Sequence, residues 1–565
     1  MKLAVQWRQS REIVRGWLAG AAGWSAPAVV LLALAAATPE LSARVPSMAV
    51  SAESPHAARA ALAVLKSGGN AADAMVTAVL VSGVTQPTSS GLGGGGFAMV
   101  WDAKARKSTV IDFREMAPAA VDAHSFEGRP LSKEMRGHMT GVPGEARGLF
   151  ALHQRFGSMK WKDVVAPARK LASSGYFLGE HVAQVLPGMR AKLFGDPALK
   201  ARYFLRGSVT RQGARLKNPA LAKTLERLGI EGPRAFYEGP VARDIVQRVR
   251  GLGGPMTEKD LANYRVEIRE ALAVPWGDRT VYSMPPPSAG GLMLAEALKM
   301  LDPVQLRALG HNTGAYQHLL AEVMRGAIAD RIRFLGDPKF ETVDMAGLLA
   351  PARMQKRRAR ISLTRTHGIP RFDGEEHGTA HMVTRDAGGN MVSLTATVNR
   401  AFGIRAEAAA SGVVLNDELD DFSSRSWVVP FGMKQSPNRP RPGARPVSSM
   451  TPTIVVRDGK AVLGIGGSGG MSIATGVTQT LLSLLVFEMS PTETLQAPRM
   501  RIPTRNSYIR LIAGAAPALI ADLESRGEIV SIQKRDGSAV QIISADERGL
   551  RAAADPRKHG LALVY

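Results

Sequence analysis

The feature of this sequence that most limits its fold is a change of hydrophobic periodicity near residue 378. From about Val142 to Asp373 the chain is rich in Arg, Lys, Leu and Ala with scattered Pro and Gly, which predicts helices joined by loops. Beyond Gly378, alternating and β-branched segments such as Met391–Val398 and Thr453–Val456 predict strands. We therefore expect helices to dominate the middle third, which offers little interpretable chemistry, and strands to dominate the final third.

Helical spacing recurs at both ends of the chain. Apolar residues predict two packed helices over Pro55–Lys66 and Ala71–Ser82, and another helix within Met471–Met489. The glycines Gly91–Gly96 lead into a predicted strand, Phe97–Trp101. A dinucleotide-binding loop needs a strand before its glycines and a helix after them, so this reversed order argues against a nucleotide site.

Composition excludes several classes of protein. The chain has 565 residues, of which 45% are hydrophobic, enough to bury a substantial core, so disorder is not expected. The formal charge of +23 favours contact with anions, but no zinc-finger or aromatic-interleaved basic pattern is present, and no nucleic-acid partner is expected. Because there is no cysteine, disulfides, thiolate metal sites and cysteine nucleophiles are excluded.

The first 43 residues differ from the rest of the chain. Basic residues between Lys2 and Arg15 precede an uncharged stretch, Gly16–Pro39, and small residues would allow cleavage after Ala37 or Ala43. This order predicts an export signal and a periplasmic or extracellular protein. An uncleaved membrane anchor is the alternative, because the uncharged stretch approaches the roughly 20 residues that span a bilayer.

The segment Gly378-Thr379-Ala380-His381 lies where the periodicity changes. It resembles the Thr-Thr-His processing site of the gamma-glutamyltransferase family of N-terminal nucleophile hydrolases. Further family-like segments occur in the family's order along nearly the whole chain after the signal: Leu65–Ala71, Ser89–Phe97, Asp112–Glu115, Val142–Gly144, Asp260–Tyr264, Met284–Ser288, Asp420–Phe422, Arg445–Met450, Ala497–Arg499 and Asp555–Arg557. Most of these matches are weak singly, but their shared order makes the resemblance specific.

The resemblance implies an α+β fold, the four-layer αββα sandwich. It also implies self-cleavage between Gly378 and Thr379, giving a large subunit of residues 44–378 and a small subunit of residues 379–565 that form one catalytic domain as a heterodimer. The expected reaction transfers a gamma-glutamyl group from glutathione or related compounds to water, an amino acid or a peptide. No metal or organic cofactor is implied.

Thr379 is the expected nucleophile. An alcohol needs a nearby base to lose its proton, and cleavage would free the α-amino group of Thr379, whose reference pKa is about 7.7 to 8.0. Glycine at position 378 leaves room for the backbone distortion that cleavage requires. By resemblance, Thr397 hydrogen-bonds the nucleophile, or is simply a buried strand threonine, and His381 is structural instead of a general base.

Two groups of residues match the family's substrate contacts. Arg114, Ser448 and Ser449 match the site for the α-carboxylate, for which a guanidinium offers two parallel donors. Asn399, Glu418 and Asp421 match the site for the α-amino group, which needs acceptors. The alternative for Arg114 is an ion pair with Asp112 or Glu115.

The glycine pair Gly469 and Gly470 matches the family's oxyanion site, where backbone N–H groups would face the developing charge. Here Ser468 replaces the proline found in many relatives, and Met471 replaces a frequent serine. The Pro- and Arg-rich segment 423–444 resembles the family's substrate-covering lid.

Two alternatives stay open at this point. A cephalosporin or glutaryl acylase would keep the fold and the nucleophile but would have no α-amino group to bind, which the acceptors Asn399, Glu418 and Asp421 argue against. An unprocessed basic protein that binds polyanions would not split into two pieces.

Overall fold

Two β-sheets face each other in the middle of the protein, in a computed structural model that describes residues 46–126, 133–367, 378–423, 428–502, 508–533 and 538–565. The signal or anchor predicted for residues 1–43 lies outside the described residues. Within the described ranges, no helix combines the length and apolar character that crossing a bilayer requires.

The two sheets contain seven and six strands, in the orders β21-β1-β11-β12-β2-β3-β8 and β20-β19-β16-β15-β10-β9. The remaining strands form two-stranded ribbons. Numbered in chain order, the strands are β1 (Ala49–Ala52), β2 (Gly95–Asp102), β3 (Lys107–Asp112), β4 (Tyr176–Phe177), β5 (Phe204–Leu205), β6 (Ser208–Val209), β7 (Arg215–Leu216), β8 (Glu267–Arg269), β9 (Leu272–Trp276), β10 (Arg279–Ser283), β11 (Thr379–Arg385), β12 (Met391–Thr397), β13 (Glu407–Ala408), β14 (Val413–Val414), β15 (Thr453–Arg457), β16 (Lys460–Ser468), β17 (Ile509–Ile512), β18 (Val530–Gln533), β19 (Ala539–Asp546), β20 (Gly549–Ala554) and β21 (Leu561–Val564).

Strand β2 shows how the sequence builds the layers. Successive side chains of a strand point to opposite faces of its sheet. Phe97, Met99 and Trp101 pack in the core shared with the second sheet, whereas Ala98 and Val100 pack toward the outer helices. Both faces of this strand are therefore buried, which explains its continuous apolar run.

Helices cover both outer faces. The seven-stranded sheet is covered by the helices Pro55–Lys66 and Ala71–Thr85. The six-stranded sheet is covered by the helices Gly290–Met300 and Ile473–Leu485. A further helix, Gly314–Phe334, packs against Gly290–Met300. The order helix, sheet, sheet, helix is the predicted four-layer sandwich. The other α-helices are Glu145–Phe156, Trp161–Ser174, Glu180–Leu193, Pro197–Tyr203, Pro219–Glu231, Arg234–Tyr237, Pro240–Gly251, Glu258–Asn263, Pro303–Leu309, Met345–Leu348, Pro351–Ala359, Pro491–Gln496 and Pro517–Ser525.

The predicted helices begin where capping residues stand. Ser54 accepts a hydrogen bond from the amide of Ala57, and Asn70 caps the next helix together with Asp73 in a reciprocal capping box. The middle third also contains strands that its composition does not predict. These are β8, at the edge of the seven-stranded sheet, and β10 and β9, at the edge of the six-stranded sheet.

Candidate active site

Thr379 is the first residue of β11 and lies opposite Thr397, the last residue of β12. The two hydroxyl oxygens are 3.4 Å apart. The Thr397 hydroxyl donates a 2.8 Å hydrogen bond to the carbonyl oxygen of Gly378 and accepts another from the amide of Asn399. Because a hydroxyl has one proton to donate, Thr397 polarises the Gly378 carbonyl and leaves a lone pair for the Thr379 hydroxyl.

Gly378 is sterically required at its position. A Cβ atom there would lie 2.4 Å from the carbonyl oxygen of Thr88 and would also press on the backbone of Arg400 and Ala401. Such a separation is far shorter than a van der Waals contact, so any side chain would displace the carbonyl that precedes Thr379. The packing thus gives a second reason for the glycine, beside the backbone freedom expected from the sequence.

Arg114 is fully buried and holds two carboxylates. One guanidinium nitrogen donates to Glu418 and the other donates to Asp421 at 2.5 Å, while Nε donates to the carbonyl of Pro446 at 3.2 Å. Of the two partners that the sequence alternative offered, Glu115 forms an ion pair with Arg114 at 4.0 Å, whereas the Asp112 carboxylate pairs with Arg269 and Arg445. The two shorter ion pairs of Arg114 are with residues 304 and 307 positions away in the chain.

The three predicted acceptors lie together. Asn399 has a left-handed backbone (φ 68°) and donates its side-chain amide to the carbonyl of Asp417 at 2.9 Å, which leaves its amide oxygen as an acceptor. Glu418 and Asp421 lie on the short 3-10 helix Glu418–Asp421, which brings both carboxylates to the same guanidinium. In this structure the two carboxylates therefore share one guanidinium as their counter-charge.

Ser448 and Ser449 lie in a buried segment beside Pro286–Ser288, where Ser448 forms an isolated β-bridge with Ser288. The Ser448 hydroxyl accepts from the amide of Met450 at 3.1 Å, and its own amide donates to Pro287. The Ser449 hydroxyl accepts a hydrogen bond from Arg331, a residue of the helix Gly314–Phe334. Both serines are buried and lie beside Thr379 in the same cavity.

The glycine pair lies between strand β16 and the helix Ile473–Leu485, in the predicted order of strand, glycine turn and helix. Gly469 and Gly470 have φ values of 120° and 58°, which favour glycine, and a 3-10 turn Gly470–Ser472 precedes the helix. A Cβ at Gly469 would meet Ser538 at 2.8 Å. The predicted helix over Met471–Met489 therefore starts two residues later, at Ile473.

A single cavity of about 20 Å³ brings together nine of the eleven predicted site residues, all except Gly378 and Gly469. A water molecule needs about 10 to 15 Å³, so this volume corresponds to roughly one water. The lining residues are Arg114, Arg331, Thr379, Thr397, Asn399, Glu418, Asp421, Ser448, Ser449, Met450, Gly470, Met471 and Ile473.

The lid-like segment contacts the site through Asn438. Its amide nitrogen donates to the carbonyl of Asp421 at 2.8 Å, and its amide oxygen accepts from the amide of Val447 at 2.8 Å. Asn438 thus joins the acidic 3-10 helix to the segment that carries the two serines. Residues 424–427 of this segment lie outside the described residues.

His381 lies between the two sheets instead of in the cavity. Its Nδ1 is 2.8 Å from the Thr395 hydroxyl, and burial lowers the pKa of the imidazole to about 3. A neutral imidazole held away from Thr379 agrees with a structural role.

Sequence reasoning missed two cationic residues near Thr379, Lys558 and Arg331. The ammonium of buried Lys558 donates to the Thr379 carbonyl at 2.8 Å, to the Ser468 hydroxyl at 2.6 Å and to Glu53 at 3.1 Å. Arg331 comes from the helical middle third, whose chemistry was not interpreted from sequence. Lys558 adjoins the recognised segment Asp555–Arg557, which was the one available signal.

Among the described residues, no group of three or more His, Asp or Glu side chains is arranged to hold a metal ion.

The four-layer fold is that of the N-terminal nucleophile hydrolases. A cephalosporin acylase from Bacillus halodurans shares the fold, with a TM-score of 0.81 at 24% identity over 92% of this chain and 96% of that one. The family model for gamma-glutamyltranspeptidase matches residues 57–565, and the chain belongs to that family.

Two relatives show the extent of the similarity. The chain is 35% identical to a glutathione hydrolase proenzyme of Bacillus subtilis (strain 168) over 531 residues, which are 88% of each protein. A solved gamma-glutamyltranspeptidase from Pseudomonas nitroreducens, in complex with L-DON, has a TM-score of 0.51 at 32% identity and covers 56% of this chain and 94% of that one.

Proposed function

We propose that this protein is a self-processing gamma-glutamyltransferase and glutathione hydrolase. The observation that carries the proposal is the contact of the Thr397 hydroxyl with both the Thr379 hydroxyl and the Gly378 carbonyl. One group thereby orients the nucleophile and activates the bond that must break to free it. Membership of the gamma-glutamyltranspeptidase family supports the choice of acyl group.

Self-cleavage begins with attack of the Thr379 oxygen on the Gly378 carbonyl carbon. As the new C–O bond forms and the C–N bond breaks, the hydroxyl proton passes to the departing nitrogen of Thr379. Water then opens the ester, which leaves a carboxylate on Gly378 and returns the hydroxyl to Thr379. The chain would end as two associated subunits, residues 44–378 and 379–565.

Acyl transfer uses the amine that cleavage frees. The neutral α-amine of Thr379 takes the hydroxyl proton as the oxygen attacks the gamma-carbonyl, and the resulting ammonium gives a proton to the leaving amine. Backbone amides at Gly469 and Gly470 stabilise the oxyanion. Water, an amino acid or a peptide amine then attacks the gamma-glutamyl ester and regenerates Thr379.

Substrate recognition depends on the charges at the cavity. The substrate ammonium would bind Asn399, Glu418 and Asp421 and thus replace part of the Arg114 guanidinium as their counter-charge. The α-carboxylate would bind Arg114 with the hydroxyls of Ser448 and Ser449. This combination favours gamma-glutamyl donors over the acyl groups of cephalosporin or glutaryl acylases, which lack the amine. Glutathione is the proposed donor because the curated relatives include glutathione hydrolases.

We further propose that the protein is exported, with residues 1–43 acting as signal or anchor. The support is the order of basic residues, uncharged stretch and small residues in that segment. Intact-mass measurement after cell fractionation tests this proposal. A full-length chain retained in the membrane would point to the anchor.

N-terminal sequencing of the smaller fragment tests the central proposal. We expect it to start at Thr379, and we expect Thr379→Ala to remain whole and inactive. Thr379→Ser keeps both a hydroxyl and a future α-amine, so it should still split. A wild-type chain that stays whole on a denaturing gel would favour the polyanion-binding alternative, and a fragment starting elsewhere would remove the nucleophile.

A further inference from the structure

Two guanidinium groups, Arg114 and Arg331, and two carboxylates line the cavity beside Thr379. Both carboxylates, Glu418 and Asp421, form ion pairs with Arg114. Arg331 also lines the cavity, but no carboxylate oxygen of a described residue lies within 4.0 Å of its nitrogens. Arg331 is therefore the cationic lining residue that has no ion pair among the described residues.

The contacts of Arg331 are all with neutral groups. Nη1 donates to the Ser449 hydroxyl and lies 2.6 Å from the sulfur of Met471, and Nη2 is 3.4 Å from the carbonyl of Val447. The residue is only 6% exposed. Burial lowers the pKa of the guanidinium to about 10, which still leaves it charged at neutral pH.

A buried charge without a counter-ion is unfavourable unless a ligand supplies one. The ligand must be an anion, because Arg331 offers only donors. It must also reach Ser449, whose hydroxyl Arg331 holds. The Ser449 oxygen accepts from Arg331, and its own proton is donated to the Met471 sulfur at 3.4 Å, a weak acceptor in the lining of the same cavity that an anion would replace.

We propose that Arg331 is a specificity-determining residue that, with Ser449, supplies a second positive charge for the substrate's α-carboxylate, beside Arg114. This inference rests on the proposed function and adds a residue to its carboxylate site. Arg114 also pairs with Glu418 and Asp421, whereas Arg331 has no carboxylate partner among the described residues.

The test compares two anilides that differ only in the carboxylate. Gamma-glutamyl-4-nitroanilide carries it, and 4-aminobutanoyl-4-nitroanilide lacks it. In Arg331→Gln, which keeps a donor for Ser449 but removes the charge, kcat/KM for the first substrate should fall about ten- to a hundredfold, mainly through KM. The second should change less than about threefold, and Arg331→Lys should recover part of the loss.

Arg333→Gln is the matched control, because it removes the same charge two positions along the same helix from an exposed side chain. Subunit formation and the melting temperature verify that each variant folds. If turnover of the second anilide is slow, the competitive inhibition constants of glutamate and 4-aminobutanoate give the same comparison.

The outcomes separate the two proposals. No turnover of the gamma-glutamyl anilide by the unaltered, processed protein would refute the proposed function. An active protein in which Arg331→Gln loses equal activity on both anilides, or loses none, would refute the role of Arg331 alone. A selective loss on the carboxylate-bearing anilide in a folded variant supports it.

Discussion

The hydroxyl of Thr397 donates a 2.8 Å hydrogen bond to the carbonyl oxygen of Gly378, the acyl group of the bond that precedes Thr379. The same oxygen is 3.4 Å from the Thr379 hydroxyl. Both short hydrogen bonds of the Thr397 hydroxyl are to backbone groups, as a buried strand threonine would also make, so the rate of processing tests its role.

Thr397→Val should slow subunit formation about ten- to a hundredfold, because a hydrogen bond to the carbonyl that develops charge is lost while the side-chain shape is kept. Thr397→Ser retains the hydroxyl and should process at nearly the normal rate. The measurement is the rate at which purified precursor splits on a denaturing gel. Equal rates for both variants would remove Thr397 from the processing step.

Gly378→Ala should also slow processing, for a steric reason. The added methyl group would meet the Thr88 carbonyl at 2.4 Å and move the scissile carbonyl out of reach of Thr397. Gly179→Ala is the control, since nothing lies within 4 Å of a Cβ at that position. The same gel assay compares the two, and rapid splitting of Gly378→Ala would mean that the carbonyl position tolerates displacement.

Lys558→Met should lower both stability and kcat, because it frees the Thr379 carbonyl and leaves Glu53 buried without its cation. Breaking a buried ion pair costs about 3 to 5 kcal/mol. The double variant Glu53→Gln/Lys558→Met should regain stability, measured by urea unfolding, but not kcat. Recovery of both would show that Lys558 acts only through the fold and does not position the nucleophile.

Glu145→Gln should stabilise the protein increasingly as pH rises. Burial raises the pKa of Glu145 to about 8 from an ordinary 4.5, so between these pH values the unfolded chain loses a proton that the folded chain keeps. Stability contributed by this group is full below pH 4.5 and declines toward pH 8. Melting curves of the variant and the parent should diverge across this window by about 1 kcal/mol or more. The exposed Glu226→Gln is the control, and parallel curves for Glu145→Gln would contradict the expectation.

The sequence predicted local structure well because periodicity and capping are local signals. The helix Pro55–Lys66 has the predicted bounds, and the predicted helix from Ala71 extends three residues beyond Ser82, to Thr85. The start at Ile473 was missed because the preceding glycine turn continues into a 3-10 helix.

The site was predicted as a set of residues but not as a set of contacts. Motif order brought Arg114, Glu418 and Asp421 into one site, yet it assigned them to opposite ends of a substrate instead of to one another. Lys558 reaches Thr379 across 179 positions, and Arg331 is buried on a helix that packs against the helical layer of the second sheet. Such pairings depend on tertiary packing, which the local spacing of apolar residues along the sequence does not reveal.

Four strand pairings join residues before Gly378 to residues after it: β1 with β21, β1 with β11, β2 with β12, and β10 with β15. A cut at Gly378 would leave all four in place, so the fragments would stay associated without a linker. Refolding after denaturation would nevertheless differ between the intact and the cut protein. The intact chain can search for its partner strands within one molecule, whereas two separated fragments must first meet, so recovery from denaturation would become dependent on concentration. The uncut protein would be the form able to fold, and the cut protein would persist through the slowness of its unfolding.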